Sequence, residues 1–153
     1  EGVRLVPIQS FYIKAGKVDL RPGEIETAIL IPEASYRGYQ GHYIKYAMRN
    51  AMDIATCGCS ANAKLSPDGK TIVDARLAYG VAGPVPMRAP SAEAAARGKP
   101  VCRETVEAFA KAALDDVNPR TSWRATREFR LHLAEELARR ALTEAIKRSG
   151  GEL

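Results

Sequence analysis

Cations, tyrosines and a carboxylate gather in one short stretch, His42-Tyr43-Ile44-Lys45-Tyr46-Ala47-Met48-Arg49-Asn50-Ala51-Met52-Asp53-Ile54-Ala55. Lys45 and Arg49 carry the charge to neutralise a phosphate or to stabilise an anionic ring, and Tyr43 or Tyr46 has a flat face to lie against an aromatic one. The stretch falls at the junction of two predicted strands, and loops carried by rigid strands are where binding residues concentrate. The same residues also fit a solvated hairpin in which Lys45 and Arg49 make surface ion pairs of small energetic weight. Residue types alone leave both readings open.

Other chemistries find less material. His42, in or beside a strand, and His132, within the last predicted helix, have no further ligand-type residue at a metal spacing, so no metal site is predicted. Cys57 and Cys59 put their thiols on one side of a strand, yet zinc and iron–sulfur sites use about four ligands and Cys102 is the only other thiol. Buried structural cysteines are expected instead. Neither histidine has a nucleophile-elbow serine nearby, and no catalytic residue is assigned. The glycines form neither a G-x-G-x-x-G turn nor a G-x-x-x-x-G-K-[ST] phosphate loop, so a nucleotide cofactor would have to be shared with other sequence.

The formal charge of +5 is spread among acidic residues, as in Glu135, Glu136, Arg139 and Arg140, which is the pattern of a solvated helix face. A nucleic-acid partner is not expected from it. No apolar run approaches the roughly 18 to 20 residues of a bilayer span, so a soluble domain without a membrane partner is predicted. Cysteines that cannot all pair within one chain favour a reducing, cytoplasmic compartment. The first residue is Glu1, nothing resembles a signal peptide, and the chain reads as a piece of a longer one.

The elements that would position these residues follow from periodicity. Residues 24–31 alternate in twos, with Ile25, Thr27, Ile29 and Ile31 on one side, and predict a half-buried strand between the Pro22-Gly23 turn and Pro32. Residues 42–48 and 53–65 are further strands, the second rich in small residues that permit close packing. Asp68-Gly69 predicts a hairpin into a strand over 70–81. Beyond Gly83-Pro84-Val85-Pro86 the pattern becomes helical at 91–97, 102–117 and in a long final helix. There Leu133, Leu137, Ala141 and Ala145 make one apolar row and Ala134, Ala138, Leu142 and Ile146 the next, with Arg130 outside the stripe and Gly150-Gly151 as a stop. Strands first and helices after give an α+β fold, an antiparallel sheet over about 1–90 covered by about three helices over 91–150.

The stretch around Lys45 also resembles the K-x-x-x-R-x-x-x-D-I-A signature of the C-terminal domain in molybdenum hydroxylase flavoproteins, the FAD-binding subunits of xanthine dehydrogenases in particular. Leu20-Arg21-Pro22-Gly23-Glu24-Ile25 with Ile31-Pro32, Gly80-Val81-Ala82-Gly83-Pro84-Val85-Pro86-Met87-Arg88, and Pro119-Arg120-Thr121-Ser122-Trp123-Arg124 running on to Arg130 resemble other family motifs, in the family's order. The resemblance spans residues 1–153 as one domain. It implies FAD, held mainly by a preceding nucleotide-binding domain whose glycine-rich A-G-G-T and G-G-N loops do not occur here. It further implies partner subunits carrying molybdopterin and [2Fe-2S] clusters, with electrons reaching NAD through FAD during purine hydroxylation. Matched by position, Lys45 corresponds to a lysine that contacts the flavin and Glu26 to a position lining it. Residues 50–53 correspond to a loop beside the flavin, and Asn50 and Met52 depart from the charged residues some animal enzymes carry there. Arg49 and Asp53 fit either a cofactor-binding role or the bracing of the hairpin. The alternative implied by the same family is a subunit-assembly module of a relative acting on nicotinate, aldehydes, CO or aromatic acyl-CoA.

Overall fold

The computed structural model describes residues 2–153. A one-turn helix, α1 (Ile8–Phe11), leads into a small hairpin of β1 (Tyr12–Lys14) and β2 (Lys17–Val18). After an extended stretch and a 3-10 turn (Glu33–Ser35) come β3 (Gln40–Tyr46), β4 (Cys57–Leu65), β5 (Thr71–Gly80) and β6 (Met87–Arg88), antiparallel neighbours in that order. The helix α2 (Pro90–Ala96) follows, then β7 (Lys99–Pro100), which pairs with the start of β5. The chain closes with α3 (Arg103–Ala112), a 3-10 turn (Ala113–Asp115) and α4 (Arg127–Arg148). This is the expected α+β arrangement, an antiparallel meander covered by three C-terminal helices.

Local chemistry explains the joints. The β4–β5 turn closes through Gly69 N–H to Ser66 O at 2.9 Å, with Gly69 in the left-handed region at φ +71° that glycine adopts without steric cost. Thr126 caps α4, its hydroxyl accepting from Phe129 N at 3.2 Å. At the other end Gly150 turns left-handed at φ +85° and Gly151 N–H returns to Ile146 O at 3.0 Å, a Schellman-type stop.

Register divides the sheet into two faces. Ile44, Cys59, Tyr79 and Met87 form one cross-strand row, and His42, Ala61 and Leu77 the next. These rows meet the helices: α4 crosses β3 and β4, and α2 lies on β5. Alanines dominate the contact, with Ala61, Ala63, Ala75, Ala134, Ala138, Ala141 and Ala145 wholly buried, so backbones approach closely. Leu133, Leu137, Leu142 and Ile146 from the predicted stripe fill the remaining space, each contributing about 1.5–3 kcal/mol by burial. Tyr79, 2% exposed, adds a hydrogen bond from its hydroxyl to Ala134 O at 2.6 Å, tying β5 to α4.

Two expectations change. Residues 24–31 are not a strand: the segment is without regular pairing, and Ile25, Ile29, Leu30 and Ile31 are all exposed. A strand needs a neighbour for its backbone groups, and among the described residues none lies beside it. The main sheet accordingly starts at Gln40 rather than near the N-terminus, and includes the short β7 beyond the first helix. The other change is Arg130, placed outside the apolar stripe by periodicity but only 4% exposed. Its guanidinium reaches a carbonyl and a hydroxyl at the sheet's end, which lets a charged head sit inside.

Candidate functional site

Among the described residues, none of the three C-terminal helices packs on the second face of the sheet. Its cross-strand rows are Lys45, Gly58 and Gly80, then Tyr43, Ser60, Ala78 and Arg88, then Gly41, Asn62 and Arg76. One end of this face is filled by side chains. Tyr39 donates its hydroxyl to Asp74 Oδ2 at 2.6 Å, Arg76 stacks 4.0 Å from the Tyr39 ring centre, and Arg97 pairs with Asp74 at 2.8 Å. Toward Gly80 the face is flat, because Ser60, Ala78 and Gly80 give it almost no relief. The Tyr43 ring leans over Gly58, where a Cβ would stand 3.0 Å from its hydroxyl, whereas a Cβ on Gly80 would meet nothing within 4 Å.

Beside this floor the chain leaves β3 and returns to β4 through residues 47–56. Thr56 N–H donates to Tyr46 O at 2.8 Å and draws the two ends together. Within the loop, Lys45 Nζ donates to Asp53 O at 2.5 Å and the Arg49 guanidinium to Met52 O at 2.7 Å. The Asp53 carboxylate accepts from Arg49 N at 3.0 Å and Ile54 N at 2.9 Å. Desolvation pulls the Asp53 carboxyl upward, but the backbone N–H groups of Arg49, Ile54 and Met48 outweigh it and hold the group below the usual carboxylate range. Met52, 95% exposed, takes φ +51°, a left-handed conformation uncommon for a side chain of its size, at the loop's outer corner.

The structure therefore brings Lys45, Arg49 and Asp53 together and not Glu26, which is exposed in the unpaired segment 24–31. Asp53 and the Arg49 side chain bond to the loop's own backbone, and Lys45 stands where the loop meets the open face. Tyr43 belongs to that face, while Tyr46 turns to the helix side, its ring 6.0 Å from that of Phe129. Sequence reasoning missed the floor itself. Its signal was the alternation of Ser60 and Asn62 with the buried Cys59, Ala61 and Ala63, a period-two split in a run that looked uniformly small. It also missed the grip of Arg130 on Thr56, which joins residues far apart in sequence.

Burial pushes the Cys57 thiol up to about 11 and that of Cys59 higher still, so both are inert packing residues. Among the described residues no group of three or more His, Cys, Asp or Glu side chains could hold a metal ion. No helix among them is long and apolar enough to cross a membrane.

A flat floor open above Gly80, with a tyrosine and an ammonium at its rim, fits one side of a planar ring system such as a flavin. The chain offers no glycine-rich loop for a pyrophosphate. Comparison with known proteins places the chain in a family. Residues 42–145 match the family described as CO dehydrogenase flavoprotein C-terminal domain. The chain is 43% identical over 152 residues to the xanthine dehydrogenase FAD-binding subunit of Escherichia coli O157:H7, covering 99% of this chain and 51% of that protein. It is 29% identical over 147 residues to the carbon monoxide dehydrogenase medium chain of Hydrogenophaga pseudoflava, covering 96% and 50%. The crystal structure of quinoline 2-oxidoreductase from Pseudomonas putida 86 superposes with a TM-score of 0.85 at 27% identity, over 97% of this chain and 50% of that one. The chain thus spans about half the length of the relatives it matches, and over that half its sequence and its fold agree. It belongs to the CO dehydrogenase flavoprotein C-terminal domain family.

Proposed function

We propose that the open sheet face forms one wall of the flavin site in the FAD-binding subunit of a xanthine dehydrogenase-like molybdenum hydroxylase. The observation that carries this reading is the open floor at Gly80, with Lys45 at its edge and the Tyr43 ring beside it over Gly58, in a chain so similar to a xanthine dehydrogenase FAD-binding subunit. FAD, when bound, supplies the redox chemistry, and the protein supplies orientation and electrostatics. Ser60, Ala78 and Gly80 provide a surface on which a ring can lie without steric conflict, with the Tyr43 ring over Gly58 as its neighbour. Lys45 sets a positive charge at its edge, which favours the electron-rich state of a ring placed there. Asp53 and Arg49 keep the neighbouring loop in one conformation. Glu26 reaches the cofactor in this reading only when residues 24–31 find a strand partner in the preceding half of the longer protein, the half that would also grip the pyrophosphate.

In the assembled enzyme, partner subunits with molybdopterin and [2Fe-2S] clusters would hydroxylate a purine, and reducing equivalents would leave to NAD in the cytoplasm. A second reading, a module that only assembles subunits, is favoured by the exposed apolar side chains of Val3, Leu5, Ile25 and Trp123. Lys45→Ala in the full-length subunit separates the two. The flavin-wall reading expects about a tenfold loss of FAD affinity, the scale of one charge-assisted interaction, and slower NAD reduction. Unchanged FAD content and unchanged NAD reduction, with partner subunits still co-purifying, would leave the assembly reading standing.

A further inference from the structure

Among the described residues Arg130 is the one buried charged residue without an ion pair. It is 4% exposed, and among the described residues no carboxylate lies within salt-bridge distance of it. A buried cation without a carboxylate is costly, so its remaining contacts must return something. Its Nη1 donates to Thr56 O at 2.7 Å, its Nη2 to Ser122 Oγ at 2.9 Å, and its Nε finds no partner. Thr56 is the residue whose N–H closes the 47–56 loop onto Tyr46. The preceding residue, Phe129, packs its ring edge-on against Tyr46, the last residue of β3. The first turn of α4 therefore holds both ends of the loop, Phe129 the outgoing strand and Arg130 the returning one.

We propose that Arg130 is a positioning residue for the flavin-facing loop, fixing residues 48–54 and the Lys45 ammonium through the Thr56 carbonyl. The proposal rests on the flavin-wall reading. A lysine in its place keeps the charge but reaches only one of the two acceptors, because a guanidinium forks and an ammonium does not. Arg139 supplies the comparison: it lies on the same helix, pairs with Glu107 at 2.6 Å, and ties α4 to α3 away from the loop.

The test uses the full-length FAD-binding subunit with Arg130→Met, Arg130→Lys, Arg139→Met and Lys45→Ala. Amide hydrogen exchange at residues 48–54 and the FAD dissociation constant are measured for each. Arg130→Met is expected to speed exchange in the loop and weaken FAD about tenfold, the effect of losing a charged hydrogen bond, with Arg130→Lys intermediate. Arg139→Met is expected to lower thermal stability without either change. Loop exchange and FAD affinity in Arg130→Met equal to those of Arg139→Met would overturn the proposal while leaving the flavin wall intact. Unaltered FAD affinity and unaltered NAD reduction in Lys45→Ala refute the flavin wall itself, and the proposal falls with it. Where Arg130→Met does not fold, Arg130→Lys is judged by the same two readouts against Arg139→Met.

Discussion

Glu93 takes the place of a missing strand. Along one edge β5 pairs fully with β4, but along the other it pairs only at its ends, with β7 at Thr71 and Ile72 and with β6 at Ala78 and Tyr79. In the gap the backbone N–H of Leu77 donates to Glu93 Oε1 at 3.1 Å, and the same oxygen accepts from Arg88 Nε at 2.5 Å. Glu93→Ala removes both. Leu77 is wholly buried, and an orphaned buried N–H costs about 1–3 kcal/mol. The Arg88 side chain is 49% exposed, so its share of the ion pair is screened to about 1 kcal/mol or less. Together the loss is about 3 kcal/mol, a fall in Tm of about 6–12 °C for a chain of this size. Glu93→Gln keeps an acceptor for Leu77 and should cost about 1 kcal/mol, and Arg88→Met no more than that. Urea denaturation of the three variants, followed by far-ultraviolet ellipticity, checks the order. An Arg88→Met cost equal to that of Glu93→Ala would refute the reasoning, since the ion pair and not the edge hydrogen bond would then dominate.

Acid should weaken the network at the filled end of the open face. Burial raises the Asp74 carboxyl, but the Tyr39 and Arg97 hydrogen bonds and the charges of Arg97 and Arg76 lower it further, to a net value below its ordinary one. A carboxylate with a depressed folded pKa stabilises above its unfolded value of about 3.9, and that contribution is lost as pH falls through the folded pKa. Asp74→Asn is therefore expected to cost about 1 kcal/mol at neutral pH, with the gap from the parent closing below about pH 4 in denaturation curves; a gap that persists in strong acid would contradict this. The thiols give another check: a maleimide added to the folded protein at neutral pH should label Cys102, which is partly exposed, and spare Cys57 and Cys59. Labelling of Cys59 as fast as Cys102, read by mass spectrometry, would show that the sheet opens on that timescale.

Periodicity in the sequence was enough to define α4 and the β4–β5 hairpin. A spacing of three and four commits Leu133 to Ile146 to one stripe wherever the helix packs, and Asp68-Gly69 turns the chain almost irrespective of context. Ordered motifs around Lys45 and Trp123 carried the family, because they depend on residue identity and order alone. Pairing could not be read this way. Residues 24–31 alternate as a strand does, yet a strand exists only where a neighbour accepts its hydrogen bonds, and among the described residues there is none. The candidate site was half legible for the same reason. Lys45, Arg49 and Asp53 lie within one loop's reach in sequence, so composition exposed them. The floor of Ser60, Ala78 and Gly80 and the Arg130–Thr56 grip join residues that only sheet register and the packing of α4 bring into contact, and those depend on the tertiary structure.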